Sequence, residues 1–130
     1  MKVTLAVIAD YASVSIGDKL NVLGVFDTIF APEFPVLHPH MVFALRVEFD
    51  YDDAKRRHSM SIWLEDEDGG RLLETGGDID IGPIPPGEFR FHNLIVDLNN
   101  VGFAGPATYH FVATIGGLKV DTPFRVVERR

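Results

Sequence analysis

The stretch ATYHFVATIGGLKVDTPFRV, residues 107–126, indicates the fold class of this chain. Apolar and polar residues alternate on both sides of Gly116-Gly117, which is typical of β-strands with one buried face. Glycine adopts positive φ without steric cost, so the pair predicts a two-residue type I′ hairpin turn. That turn fixes the register and puts nearly all the apolar side chains on one face. The predicted partners are Ile115 with Leu118, Ala113 with Val120, Phe111 with Thr122 and Tyr109 with Phe124.

A second hairpin is predicted upstream, with Asp68-Gly69 at its turn. The predicted partners are Leu64 with Leu73, Ile62 with Thr75 and Asp66 with Arg71. Pro123 cannot donate to a strand ladder, so the last strand is expected to be a blunted edge. The strand from Met60 to Asp66 contains no proline that would block pairing, so we expect it to be the edge strand through which the protein self-associates.

Other apolar runs complete a set of about eight predicted strands without helices. They include Val3 to Ala9, Leu20 to Phe26 and Val42 to Phe49, and a change of apolar parity near His92-Asn93 predicts a β-bulge. Residues 13–18 are expected to be a loop or one helical turn. Residues 31–40, with three prolines, and residues 76–87 are expected to be connections. The pattern predicts one all-β domain over residues 1–130: a two-sheet antiparallel sandwich, immunoglobulin-like, with a closed or partly open β-barrel as alternative.

The first forty residues carry a resemblance to a known family. Ala9-Asp10, then GDKLNVLGVFD at residues 17–27, Phe34-Pro35 and His38-Pro39 are similar to the opening of a family of small bacterial domains of unknown function. The resemblance implies a β-sandwich and a bacterial source. It brings no catalytic residues and no cofactor to this chain.

Composition excludes several classes of function. Nineteen acidic residues against twelve basic ones give a formal charge of −7, which opposes the phosphate contacts that dominate nucleic-acid binding. The chain has no cysteine, which excludes thiolate catalysis and cysteine-bound zinc and fits a cytoplasmic location. No apolar run is long enough for a membrane span. We therefore expect neither nucleic acid nor membrane as a partner.

Acidic loops are the metal candidates, because calcium prefers several carboxylate oxygens. The candidates are Asp50, Asp52, Asp53, Asp78 and Asp80, which alternating strand directions place at one end of the molecule. A third cluster, residues 65–68, is predicted at the opposite end and lacks the ligand pattern of an EF-hand loop. Since turn-forming aspartates also explain these loops, we expect no bound metal and no cofactor.

Enzymatic motifs are missing from the chain. The serines lack the Gly-x-Ser-x-Gly elbow, and the His38-Pro39-His40 loop lacks the rigid spacing of a zinc motif. We therefore assign no catalytic residues.

Trp63 is the candidate interaction residue, because it points away from Ile62 and Leu64 onto a polar row and is expected to be exposed. Three function classes stay open at this point. The first is a noncatalytic protein-interaction or structural module that acts on another protein or associates with its own copy. The second is a small-ligand or carbohydrate-binding sandwich, and the third a metal-dependent or hydrolytic enzyme.

Overall fold

The computed structural model describes all 130 residues and consists of nine strands with one short 3₁₀ turn, Asp53–Lys55. The strands are β1 Lys2–Ser15, β2 Lys19–Val25, β3 Thr28–Ala31, β4 Val36–Asp50, β5 His58–Glu65, β6 Arg71–Ile79, β7 Phe89–Phe103, β8 Ala107–Ile115 and β9 Leu118–Glu128. They form a four-stranded sheet in the order β2-β1-β4-β7 and a five-stranded sheet in the order β3-β9-β8-β5-β6. No helix in the structure has the length and apolar character needed to cross a membrane.

The two sheets pack face to face on a shared aromatic core. Phe43 of the four-stranded sheet stacks on Phe111 of the five-stranded sheet, with ring centres 4.9 Å apart. Phe111 also stacks on Phe124, and all three rings are buried. Because the sheets stay separate, the sandwich prediction is confirmed and the barrel alternative is not.

The β8–β9 hairpin has the predicted register at all four predicted pairs. Its turn differs in one detail, because only Gly116 has positive φ, at 58°. The amide of Gly116 donates to the carbonyl oxygen of Ser59 at 3.0 Å. The turn is therefore tied to the start of β5.

The β5–β6 hairpin has two of its three predicted pairs, Leu64 with Leu73 and Ile62 with Thr75. The third is wrong, because a bulge between Leu64 and Glu65 puts Arg71 opposite Glu65. The cause lies in the turn. The carboxylate of Asp66 accepts the amides of Asp68 and Gly70, so Asp66 belongs to the turn and no longer to the strand.

The edge assignments differ from the prediction. The strand from Met60 to Asp66 was expected to be an edge, but β5 lies between β6 and β8. The edge of that sheet is β6, which contains Gly76 and Gly77, where a break was predicted. A Cβ at Gly76 would lie 2.5 Å from the carbonyl oxygen of Met60, so strand pairing itself requires this glycine. At the other edge, β3 pairs in parallel with Arg125–Glu128 of β9. The half of β9 that contains Pro123 pairs with β8 but has no neighbour on the β3 side.

The proline-rich stretch is a strand and not the predicted connection from residue 36 onward. Strand β4 passes through Pro39, which faces Asn100 at the point where the β4–β7 ladder skips one pair. Asn100 has a φ of 53°. On one side of this point Leu94, Val96 and Leu98 face the core, and on the other side Val101 and Phe103 do. Both strands therefore change face together at one paired position.

The predicted bulge near His92-Asn93 is absent, because the β4–β7 ladder keeps one register from Asp50–Phe89 to His40–Asn99. Phe91 instead lies on the outer face with Arg46, whose guanidinium carbon is 4.3 Å from the ring centre. A cation over the ring partly shields this aromatic side chain from water, so the change of apolar parity requires no bulge.

Residues 13–15 continue β1 and pair with β2, where a loop or helical turn was expected. The far half of this β1–β2 hairpin crosses the outer face of its own sheet. Tyr11 stacks on His40 at 4.9 Å, and the side-chain amide of Asn93 in β7 donates to the backbone oxygen of Asp18 at 2.9 Å.

Candidate functional site

The acidic loops come together at one end of the sandwich, as predicted for the calcium candidates. Asp78 of β6 lies 4.0 Å from Arg57 and accepts a hydrogen bond from Ser59. Asp80 accepts the amide of Gly82, and Asp52 pairs with Lys55. The carboxylates are thus engaged locally, with basic side chains between the two loops.

Asp50 and Asp53 bind each other's backbone. The amide of Asp50 donates to Oδ2 of Asp53 at 2.9 Å, and the amide of Asp53 donates to Oδ1 of Asp50 at 3.0 Å. Burial acts to raise the pKa of Asp53, but the hydrogen bond from the Met1 α-ammonium group and those from Asp50 outweigh it and lower the pKa. No group of three His, Cys, Asp or Glu side chains has an arrangement that could hold a metal ion.

The two histidines of β4, His38 and His40, lie on opposite faces of the strand. His40 contacts the backbone oxygen of Asp10 at 2.7 Å and the carboxylate of Asp97 at 2.9 Å. His38 packs on Phe26, and its Nε2 is buried without a hydrogen-bond partner. Burial lowers the pKa of His38, and the carboxylate of Asp10 opposes part of this effect.

Trp63 is buried and not exposed as predicted, with 7% of its surface accessible. It lies on the outer face of β5, as its parity indicated, but the guanidinium of Arg71 covers the ring at 3.8 Å. Its Nε1 donates to Glu65 at 3.2 Å, and Glu74 holds Arg71 in place at 2.8 Å. The bulge beside Glu65 was not visible in the sequence, so the cover over Trp63 was missed.

The β1–β2 hairpin, residues 9–25, is the largest concentration of exposed apolar side chains. It holds five of the eleven large apolar side chains that are exposed, namely Tyr11, Val14, Ile16, Leu23 and Val25. Leu23 is 69% exposed and Val25 61% exposed, and both lie on β2, the edge strand of the four-stranded sheet. The signal in the sequence was the run from Leu20 to Phe26, which contains no charged residue.

A second surface, the edge cleft, lies between the edge strands β6 and β7 on the other side of the molecule. Its volume is about 290 Å³. Its lining is mostly apolar: Ile62, Trp63, Leu64, Leu73, Glu74, Thr75, Val96, Asp97, Leu98 and Phe111. The sequence did not predict this cleft. Strand order decides which sheet edges face each other, and local sequence patterns do not determine strand order.

The fold and these surfaces define a class: a β-sandwich with unpaired sheet edges and exposed apolar strands. The chain belongs to a family described as "Family of unknown function (DUF6941)", whose model matches residues 4–127. No curated protein matches this chain. Family membership confirms the resemblance to a family of unknown function.

Proposed function

We propose that this protein is a noncatalytic interaction module of the cytoplasm that pairs with a second copy of itself through the β1–β2 hairpin. The observation that carries the proposal is the exposed edge strand β2, which has a neighbour on one side only. Proteins ordinarily guard such an edge with inward charges, proline or a covering segment. Strand β2 has no proline and only one charged residue, Lys19.

A two-fold axis at Asn21 gives a chemically consistent antiparallel pairing of β2 with β2 of the second copy. Leu20 then lies opposite Val22 of the second copy, and Asn21 lies opposite its own counterpart. Lys19 lies opposite Leu23 of the second copy, which its methylene chain can cover while the ammonium group stays in water. The register uses residues 19–23 and stops before Gly24, whose φ of 72° interrupts the extended strand.

Charge also favours a second copy at this surface. The whole chain carries −7, so two copies repel each other over most of their surface. Residues 9–26 carry only Asp10, Asp18 and Lys19, a net charge of −1. In the proposed register no like charges face each other directly, because Lys19 is the only charge in β2.

Sedimentation equilibrium at micromolar concentrations tests the proposal. We expect a dimer for the unchanged protein. Leu23→Lys should yield a monomer, because it places two further ammonium groups beside the axis. Leu72→Lys is the matched control, since Leu72 is also exposed on an edge strand but belongs to the other sheet.

A monomeric unchanged protein, or a dimer that survives Leu23→Lys and dissociates with Leu72→Lys, would refute pairing through β2. Circular dichroism of each variant separates lost pairing from lost folding. A monomer that retains the β-sheet spectrum counts as lost pairing.

A further inference from the structure

We propose that the edge cleft receives an extended segment of a partner protein, which adds a strand to β6 and inserts alternate apolar side chains between the two sheets. This site is independent of the β1–β2 hairpin. Strand addition of this kind uses backbone hydrogen bonds for affinity and pockets for alternate side chains for specificity.

The inward row of β6 leaves the cleft open. Leu73, Thr75 and Gly77 lie opposite Leu64, Ile62 and Met60, which pack in or against the core. The side chains of this row therefore shrink along the strand. A Cβ at Gly77 would meet no atom within 4 Å. The sandwich is under-filled at this edge, so the core residues Ile62, Leu64 and Phe111 line an open cleft.

Strand β7 forms the opposite wall of the cleft, and this wall is also apolar and incompletely covered. Leu94, Val96 and Leu98 of β7 pack against the core but are only partly buried. Strand β7 is itself an edge, and so is β6. An added strand beside β6 would pair with its free backbone groups and cover the apolar gap between the sheets at the same time.

The charge around the cleft favours a basic occupant. Glu74 and Asp97 line the cleft; both side chains are more than half exposed, and each already contacts one partner, Arg71 at 2.8 Å and His40 at 2.9 Å. The chain from Arg71 to Phe103 carries five carboxylates and only two arginines, a net charge of −3. The occupant that fits is therefore an extended segment in which apolar residues alternate with lysine or arginine, because the net negative charge of this part of the chain favours it.

The test uses a fluorescent peptide of about eight residues, the length of an ordinary strand, that alternates valine and lysine. We expect saturable binding by fluorescence anisotropy. A peptide that alternates valine and glutamate should not bind. A peptide with the lysines and valines in two separate blocks should bind more weakly, because its side chains cannot alternate between cleft and solvent.

Two variants locate the binding. Thr75→Leu fills the cleft from inside and should weaken binding at least about tenfold, the effect of one lost apolar anchor. Ser59→Leu adds a similar side chain on the exposed outer face of the same sheet and should leave binding unchanged. Asp97→Asn should weaken binding about two- to fivefold, as expected for the loss of one exposed charge.

Hydrogen exchange gives a readout that does not depend on any variant folding. The amides of β6 should gain protection when the valine–lysine peptide binds. Binding without protection of β6, or equal binding of the alternating and block peptides, would refute strand addition and indicate plain charge attraction. A change of oligomeric state in Thr75→Leu would show instead that the cleft is filled by a second copy.

Discussion

His38 shows how burial acts on a single side chain in this molecule. Its Nε2 is buried without a partner, and desolvation lowers its pKa although Asp10 stands nearby. Its sequence context, His-Pro-His, indicated a surface loop. The loop assignment was wrong because it gave more weight to the proline content than to the strand pattern. The strand continues because the β4–β7 ladder skips the pair at Pro39.

His38 should make folding stability depend on pH. The unfolded chain takes up a proton near the ordinary histidine pKa of 6.5, whereas the folded protein does so only at lower pH. Stability is therefore lost as pH falls below about 6.5, and the loss levels off below the folded-state pKa. Urea unfolding of the unchanged protein and of His38→Gln, from neutral to mildly acidic pH, measures it. If the unfolding free energies of the two proteins changed with pH in the same way, the effect of burial on the pKa of His38 would be offset by Asp10 and His40 beside it, contrary to this prediction.

Phe111 should carry a large share of core stability, because it is 2% exposed and stacks on rings from both sheets. Phe111→Ala should lower the free energy of unfolding by about 3–5 kcal/mol. Phe89→Ala is the matched control, since Phe89 is 55% exposed, and it should cost less than about 1 kcal/mol. Equal losses in denaturant unfolding would contradict the assignment of the core face.

At the scale of elements, hairpins were predictable and strand order was not. When a short turn joins two consecutive strands, the alternation of apolar and polar residues determines their register. All four predicted β8–β9 pairs are therefore correct. The pairs that failed depend on side-chain chemistry in a turn, as at Asp66, or on distant strands. The parallel β3–β9 pair joins residues 28–31 to residues 125–128, which no local pattern connects.

The same limit applied to the candidate surfaces. The calcium candidates were correctly predicted to lie at one end, because alternating strand direction suffices for that. Trp63 was placed on the correct face but not under its cover, because Arg71 reaches it only through the bulge at Glu65. The edge cleft requires both sheets to be in place before its walls face each other.

Gly24 should be required in β2 for two reasons. Its φ is 72°, and an added Cβ would lie 2.4 Å from a carboxylate oxygen of Asp10. Gly24→Ala should therefore cost about 1–3 kcal/mol of unfolding free energy. Gly77→Ala, where a Cβ meets open space, should stay within about 1 kcal/mol of the unchanged protein, on the stabilising side. Urea unfolding measures the loss of unfolding free energy in each variant. A larger loss for Gly77→Ala than for Gly24→Ala would contradict the prediction.

The acidic loops should not respond to calcium. Their carboxylates are engaged with nearby amides, a hydroxyl group and basic side chains, so we expect the melting temperature to be unchanged by added calcium chloride. A reproducible rise that Asp50→Asn or Asp78→Asn abolishes would overturn this expectation.

At the scale of the whole molecule, the sandwich is closed at its centre and open at both sides. Central strands β4 and β8 have neighbours on two sides, whereas β2, β3, β6 and β7 have one. Native-state hydrogen exchange should therefore be slowest in β4 and β8 and fast in β6, whose residues are almost all exposed. Protection in β6 equal to that in β8, for the protein alone, would contradict this order.

The paired change of face at Pro39 and Asn100 constrains how members of this family can diverge. Deleting one residue from β4 alone near this point would turn the remainder of the strand over, so that side chains of the core would point to water. A compensating deletion in β7 restores both faces at once. Length changes in these two strands should therefore be inherited in pairs across the family, and aligned sequences should show gaps near residue 39 only where they also show gaps near residue 100.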